Sequence, residues 1–182
     1  MGCDIHIFTE RKDENGFWES VDFYIPCKGF RLVEFYHDRN YELFNALAGV
    51  RGEGRRDVAK GFPDDASETV RKEHGDGDDY HSPSYLNLKE LKALSEEYVD
   101  GVKRNGMVSP EAYNRLIGGE EPTSWCKATS DRSWKYAEWH SGDNPLDYIM
   151  EKLEMFLSLR YWDYERPEAD SEDFRVVFWF DN

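Results

Sequence analysis

Apolar and polar positions near both ends of the chain follow patterns that predict β-strands. Cys3 to Arg11 and Phe17 to Ile25 are predicted as two strands, joined across Asn15-Gly16, a pair that favours a tight hairpin turn. Phe174 to Phe180 combines Val, Phe and Trp in succession, which is typical of a central strand covered on both faces. We expect this last strand to pair with the first.

Helix start signals occupy the region between these strands. Each signal is an Asn or Ser cap before a short apolar stripe, and the caps are Asn40, Asn87, Ser109 and Asn144. Gly49 is expected to end the first helix. The apolar positions from Leu146 to Leu157 recur every three or four residues and predict one buried helix face.

Strands at both ends with helices between them predict the α+β class. The expected architecture is a small, mostly antiparallel sheet built from the N- and C-terminal strands and packed by helices from the middle of the chain. We predict a single domain over residues 1–182, because no linker divides the chain. Gly49 to Asp65 and Glu73 to Pro83 are expected to be long surface loops.

Composition predicts a folded but strongly acidic protein. Hydrophobic residues make up 39% and aromatic residues 15% of the chain, which argues against disorder despite 34% charged residues. The net charge of −15 disfavours nonspecific nucleic-acid binding, because such binding depends on positive groups that meet phosphates. The acidic surface serves solubility, or it mimics nucleic acid toward a basic partner; both interpretations stay open.

Cysteine usage and hydropathy predict a cytoplasmic protein. The three cysteines, Cys3, Cys27 and Cys126, are widely spaced and form no CxxC pair, so we expect reduced thiols. No segment is apolar enough to span a bilayer, and no signal-peptide pattern opens the chain. We therefore expect no membrane association.

Asp4 and His6 form the most suggestive polar pair. Residues two apart in a strand point to the same face, so the carboxylate and the imidazole would project together. Such a pair binds a divalent metal, acts as an oriented general base, or forms a structural hydrogen bond. If the terminal strand pairs antiparallel with the first, Asp181 and Asn182 lie near Asp4. His81 is expected to approach the same rim.

Positive residues are concentrated near glycines in the first half of this acidic chain. They are Arg39, Arg51, Arg55, Arg56 and Lys60. Glycine permits close backbone approach and arginine binds phosphate with two parallel hydrogen bonds, so this segment either cradles an anion or forms a solvated loop. A further cluster near Trp125, Trp139 and His140 forms an aromatic stacking platform or fills a core.

Several motifs resemble a family of small bacteriophage and prophage proteins with no assigned chemistry. They are Gly2-Cys3-Asp4-Ile5-His6, Arg39 to Phe44 followed by Leu47 to Arg51, Gly61 to Asp64 with Ser67, His81 to Ser84, and Val177 to Asn182. Lys60 stands where the family pattern carries Arg. The resemblance implies an accessory protein in the host cytoplasm that counters host defences or adjusts host metabolism.

Three functions are compatible with these residues. The first is binding of a small anionic, nucleotide-like ligand by Asp4, His6, Arg39, Arg51, His81 and Asp181. The second is a metal-dependent hydrolase or phosphodiesterase in which Asp4 and His6 hold a divalent metal. The third is a protein-interaction inhibitor with an acidic surface and a host protein as its partner. A homo-oligomer is left open.

Overall fold

The computed structural model of the protein describes residues 2–25, 31–52, 58–75 and 79–181. The chain divides into two compact units, Met1–Glu96 with Leu146–Asn182, and Glu97–Pro145. Both units combine helices with antiparallel strands, which confirms the predicted α+β class. The single domain over residues 1–182 stays a prediction.

The first unit contains most of the elements. They are β1 (Asp4–Lys12), β2 (Trp18–Ser20), β3 (Phe23–Ile25), β4 (Arg31–Val33), α1 (Tyr41–Ala48), α2 (Glu68–His74), β5 (His81–Asn87), α3 (Leu88–Glu96), α5 (Asp147–Arg160) and β9 (Phe174–Asp181). The second unit contains β6 (Val102–Val108), α4 (Pro110–Ile117), β7 (Trp125–Cys126) and β8 (Lys135–Ser141). None of the helices within the described ranges is both long and apolar enough to cross a membrane.

The main sheet of the first unit has the strand order β2-β1-β9-β5, and all of its neighbours are antiparallel. The predicted pairing of the terminal strands is confirmed, with Asp4 opposite Asp181 and Arg11 opposite Phe174. Every residue from Phe174 to Phe180 is buried, as expected for a strand flanked on both sides. The sheet therefore brings the two ends of the described chain together, where β1 begins and β9 ends.

The predicted second strand was wrong in its length, because the chain turns at Val21 and Asp22 and separates β2 from β3. Asp22 is buried and accepts hydrogen bonds from the backbone N–H of Thr9 and from the Thr9 hydroxyl. The hairpin before it forms as predicted, with Gly16 at a φ of 84°. β3 pairs instead with β4 in a separate two-stranded sheet.

Three of the four predicted helix caps are confirmed. Asn40 accepts from the backbone N–H groups of α1, Ser109 caps α4, and Asn87 and Glu90 exchange hydrogen bonds at the start of α3. The fourth cap was wrong, because α5 begins at Asp147 with Leu146 before it and without a side-chain cap. The predicted buried face of α5 is present.

Two expectations for the middle of the chain were wrong. The second loop is shorter than predicted, because Glu73 lies in α2 and His81 opens β5. The second unit was not expected to contain a sheet, yet it has three strands in the order β7-β6-β8. Trp139 of β8 is buried with Val108 of β6 and Ala112 of α4. This member of the predicted aromatic cluster therefore packs in a core.

Candidate functional site

The polar residues that the sequence singled out meet where β1 begins and β9 ends. Asp4 lies opposite Asp181 in the sheet, and the Asp4 backbone N–H donates to Asp181 Oδ1 over 3.2 Å. His6 lies opposite Trp179 and therefore shares the face of Asp4 and Asp181. This arrangement follows from the antiparallel pairing that was predicted.

His6 lies between two carboxylates. Its Nδ1 is 3.1 Å from Glu34 Oε1 and its Nε2 is 3.3 Å from Asp181 Oδ2. The hydrogen bond to Glu34 is the main cause that raises the pKa of His6 above its usual 6.5; burial opposes the rise and Asp181 adds to it. The protonated ring then donates from both nitrogens, one to each carboxylate.

Aromatic rings enclose the His6 imidazole. The ring stacks on Trp179 with centroids 6.0 Å apart, and Tyr80 lies 5.4 Å from it at a tilt. Trp179 itself belongs to a buried cluster with Phe8 and Val177. These contacts fix the plane of the imidazole, so its two nitrogens keep their directions toward Glu34 and Asp181.

Arg39 holds the Asp4 carboxylate in a forked ion pair. Its Nε donates to Oδ1 and its NH2 donates to Oδ2, the latter over 2.7 Å. The hydrogen bonds from Arg39 lower the pKa of Asp4. Both side chains are about half exposed. Arg39 immediately precedes the Asn40 cap, so the start of α1 determines where the guanidinium lies.

Arg51 approaches the same stretch of β1 from beyond the other end of α1. Its NH2 donates to the Gly2 carbonyl over 3.2 Å, and its own φ is 60°. A Cβ on Gly2 would lie 2.6 Å from Arg39 NH1, so a larger residue there would push the guanidinium from its present position. The two arginines therefore reach neighbouring residues, Gly2 and Asp4.

His81 does not join His6. It lies opposite Phe180 in the sheet and stacks on that ring, which places it on the face opposite to His6. Its Nε2 is 4.0 Å from the buried Cys3 thiol. Burial raises the pKa of this thiol, and a hydrogen bond from Arg51 opposes the rise. Asp4, His6, Arg39 and Asp181 thus form one group, and Arg51 and His81 lie around Cys3.

Other predicted residues lie elsewhere or outside the described ranges. Lys60 donates to Glu90 Oε1 over 2.6 Å and lies over the Tyr85 ring, so these contacts hold it against α3 and β5. Cys27, Arg55, Arg56 and Asn182 lie outside the described residues.

The described residues contain no group of three or more His, Cys, Asp or Glu arranged to hold a metal ion. The Asp4 carboxylate faces Arg39, and the two nitrogens of His6 face different carboxylates. A cation held by Asp4 and His6 would have to displace Arg39 and compete with the proton on the imidazole. The divalent-metal site stays a prediction.

Sequence reasoning missed Glu34, the strongest partner of His6. Glu34 follows directly after β4, 28 residues from His6 along the chain. The chain contains 38 acidic residues, so a single glutamate after a short apolar run carries no distinguishing signal. Only the packing of the β3–β4 hairpin beside the main sheet selects it.

The site contains an imidazole held by two carboxylates, a forked Arg–Asp pair and a second arginine on the adjacent backbone. Such a set binds anions through its cations, and it moves protons at the imidazole. Comparisons with protein-family models, with curated proteins and with solved structures find no match to this chain.

Proposed function

We propose that the end of the main sheet binds a small anionic, nucleotide-like ligand. The observation that carries this proposal is that Arg39 contacts Asp4 and Arg51 contacts Gly2, two residues away along the chain, in an otherwise acidic protein. Arginine is the side chain best suited to phosphate, because its planar fork donates two parallel hydrogen bonds.

The ion pair between Arg39 and Asp4 is compatible with such a ligand. Exposed Arg–carboxylate pairs contribute little to stability because water screens them, so a phosphate can take the guanidinium from the Asp4 carboxylate. The raised pKa of His6 favours an imidazolium, which offsets the negative charge of Glu34 and Asp181 beside the fork. Tyr80, next to the imidazole, offers an aromatic ring for a base.

The resemblance to bacteriophage proteins supports a cellular setting for this binding. If the ligand is a nucleotide signal of the host, a protein that sequesters it would weaken the response that depends on it. Under this proposal the chain acts stoichiometrically and needs no chemical step. Asp4, His6 and Asp181 then read polar groups of the ligand, whereas His81 lies on the other face of the sheet and does not take part.

Thermal unfolding in the presence of inorganic phosphate, nucleoside mono-, di- and triphosphates, and cyclic dinucleotides tests the proposal. A ligand that binds only the folded state raises the melting temperature, by mass action. We expect the rise to disappear in Arg39→Gln and to shrink in Arg51→Gln. Arg115→Gln is the matched control, because Arg115 is a similarly exposed arginine paired with Glu120 in the second unit. A ligand-induced rise that survives Arg39→Gln would exclude this site.

A metal-dependent hydrolase is the second candidate, and one distance favours it. His6 Nε2 and Asp181 Oδ2 are 3.3 Å apart, close enough to share one cation once the imidazole loses its proton. Titration of the protein with Mn²⁺ or Zn²⁺ at pH 8 tests this candidate. Stabilisation that is lost in both His6→Ala and Asp181→Asn would support it, and no metal-linked stabilisation of the wild type would exclude it.

A further inference from the structure

Helix α5 has a second row of apolar residues, about a third of a turn around the helix from the face that it buries. Ile149, Leu153 and Phe156 are buried within the first unit. Tyr148, Met155 and Leu159 are 43%, 53% and 61% exposed, and Trp162, in the turn after the helix, is 80% exposed. We call these four residues the outer stripe of α5.

The spacing of the outer stripe is that of a helix-packing surface. Tyr148, Met155 and Leu159 are separated by seven and four residues, so they lie in one row along the helix. Lys152 occupies the gap in this row, and its Nζ lies 4.9 Å from the centre of the Tyr148 ring. Single exposed apolar residues are ordinary, but an exposed row of large ones marks an interaction surface.

Carboxylates border the outer stripe. Glu151 lies one turn from both Tyr148 and Met155 within α5, and Asp163 follows Trp162 directly in the turn after the helix; both are exposed. The hydrogen bond with Tyr148 is the main cause that raises the pKa of Lys152, and the negative charge of Asp38, in another segment, adds to the rise. The two arginines nearby are engaged: Arg160 donates to the Val21 carbonyl over 2.8 Å and Arg166 to Glu154 over 2.7 Å. The rim of the stripe is therefore acidic.

We propose that the outer stripe of α5 is a docking surface for a cationic amphipathic helix of a partner protein. Apolar side chains of that helix would cover Met155, Leu159 and Trp162, and its Lys or Arg residues would meet Glu151 and Asp163. The acidic rim disfavours two other occupants. A second copy would place like charges together in a chain of net charge −15, and anionic lipid headgroups would be repelled. This surface is independent of the ligand site at the end of the main sheet.

Calorimetric titration of the full chain with two synthetic helical peptides tests the proposal. One peptide has a Leu stripe flanked by Lys, and the other has the same Leu stripe flanked by Glu. We expect saturable, salt-sensitive binding of the Lys peptide and at least tenfold weaker binding of the Glu peptide. The double variant Met155→Gln with Leu159→Ser should lower affinity for the Lys peptide at least tenfold, and Glu151→Lys should lower it and reduce its salt dependence.

Ile117→Ser is the matched control, because Ile117 ends α4 in the second unit and is 72% exposed. It should leave affinity unchanged, and the melting temperature of each variant checks that its fold is intact. Equal binding of the two peptides, or undiminished binding by the double variant, would overturn the proposal. Sedimentation that shows a wild-type dimer, dissociated by the double variant, would assign the stripe to a second copy and overturn it as well.

Discussion

Asp22 is a buried carboxylate at the corner between β2 and β3. Its oxygens accept from the Thr9 backbone N–H over 3.1 and 3.0 Å, from the Thr9 hydroxyl over 2.6 Å, and from the Ser20 hydroxyl over 3.1 Å. Removal from water outweighs these hydrogen bonds and raises the pKa of Asp22 to about 6. The charged form is therefore unfavourable in the folded state.

The stability of the wild type relative to Asp22→Asn should fall as the pH rises from about 4 to about 7. The cost of burying the charged Asp22 carboxylate is absent below the unfolded pKa of 3.8 and complete above the folded pKa of about 6. At about 1.4 kcal/mol per pH unit, the free energy of unfolding should therefore fall by an amount on the order of 3 kcal/mol between these two values. Urea unfolding of both proteins across this range measures it. A constant difference between the two free energies of unfolding would contradict the prediction, whatever the fixed cost of the substitution.

His6 should titrate above 6.5, and Glu34→Gln should lower its pKa more than Asp181→Asn does, because the Glu34 hydrogen bond is the larger cause of the rise. NMR titration of the imidazole Cε1 proton measures each value, with Glu111→Gln in the second unit as control. A raised histidine pKa stabilises the fold below about 6.5, and this contribution is lost as the pH rises through the folded pKa. An unchanged His6 pKa in Glu34→Gln would show that the Glu34 hydrogen bond is not the main cause of the rise.

At the scale of elements, α1 connects the two arginines of the candidate site, and its start depends on one side chain. Asn40 Oδ1 accepts from the backbone N–H groups of Glu42 and Leu43, each over 3.1 Å. Asn40→Ala should cost about 1 kcal/mol of stability, within a usual span of about 0.5–2 kcal/mol, because two N–H groups lose their acceptor. Asn40→Ser keeps a capping oxygen and should cost much less. Chemical denaturation compares the three proteins, and equal losses in both variants would argue against the cap.

At the scale of the whole molecule, a buried ion network joins β1, β9 and the segment before α2. Arg175 donates from Nε to Glu10 Oε2 over 2.7 Å and from NH1 to Asp65 Oδ1 over 2.8 Å. Glu10 also accepts from the Ser67 backbone N–H over 2.6 Å. The guanidinium lies 3.9 Å from the centre of the Trp18 ring. Arg175 and Glu10 are both buried, so each depends on the other for charge compensation.

Arg175→Met should lower the free energy of unfolding by about 3–5 kcal/mol, because it leaves the Glu10 carboxylate buried without its cation. The double variant Glu10→Gln with Arg175→Met should recover most of that loss, since no charge is then stranded. Urea unfolding of the wild type, both single variants and the double variant completes the cycle. Strictly additive losses would show that the two side chains are not coupled.

Local signals in the chain were enough for a large part of the fold. The Asn40, Asn87 and Ser109 caps act on N–H groups two or three residues away, so their positions are visible in sequence. The β7-β6-β8 sheet was not predicted. In β8, Ala137, Trp139 and Ser141 are buried while the residues between them are exposed, but the period of two begins only at Tyr136 and is too short to stand out in the sequence.

By itself the sequence determined the strand at each end of the chain, three helix caps and the projection of Asp4 and His6 from one face of β1, because caps and the alternation of side chains are local. The pairing that brings Asp181 to the same face is long-range; it was expected from the two strand patterns and is confirmed by the register. Only the tertiary structure decided that Glu34 holds His6, that Arg39 turns to Asp4, and that His81 lies on the other face beside Cys3. Those contacts join residues 28 to 78 positions apart, and their partners are selected by how the elements pack.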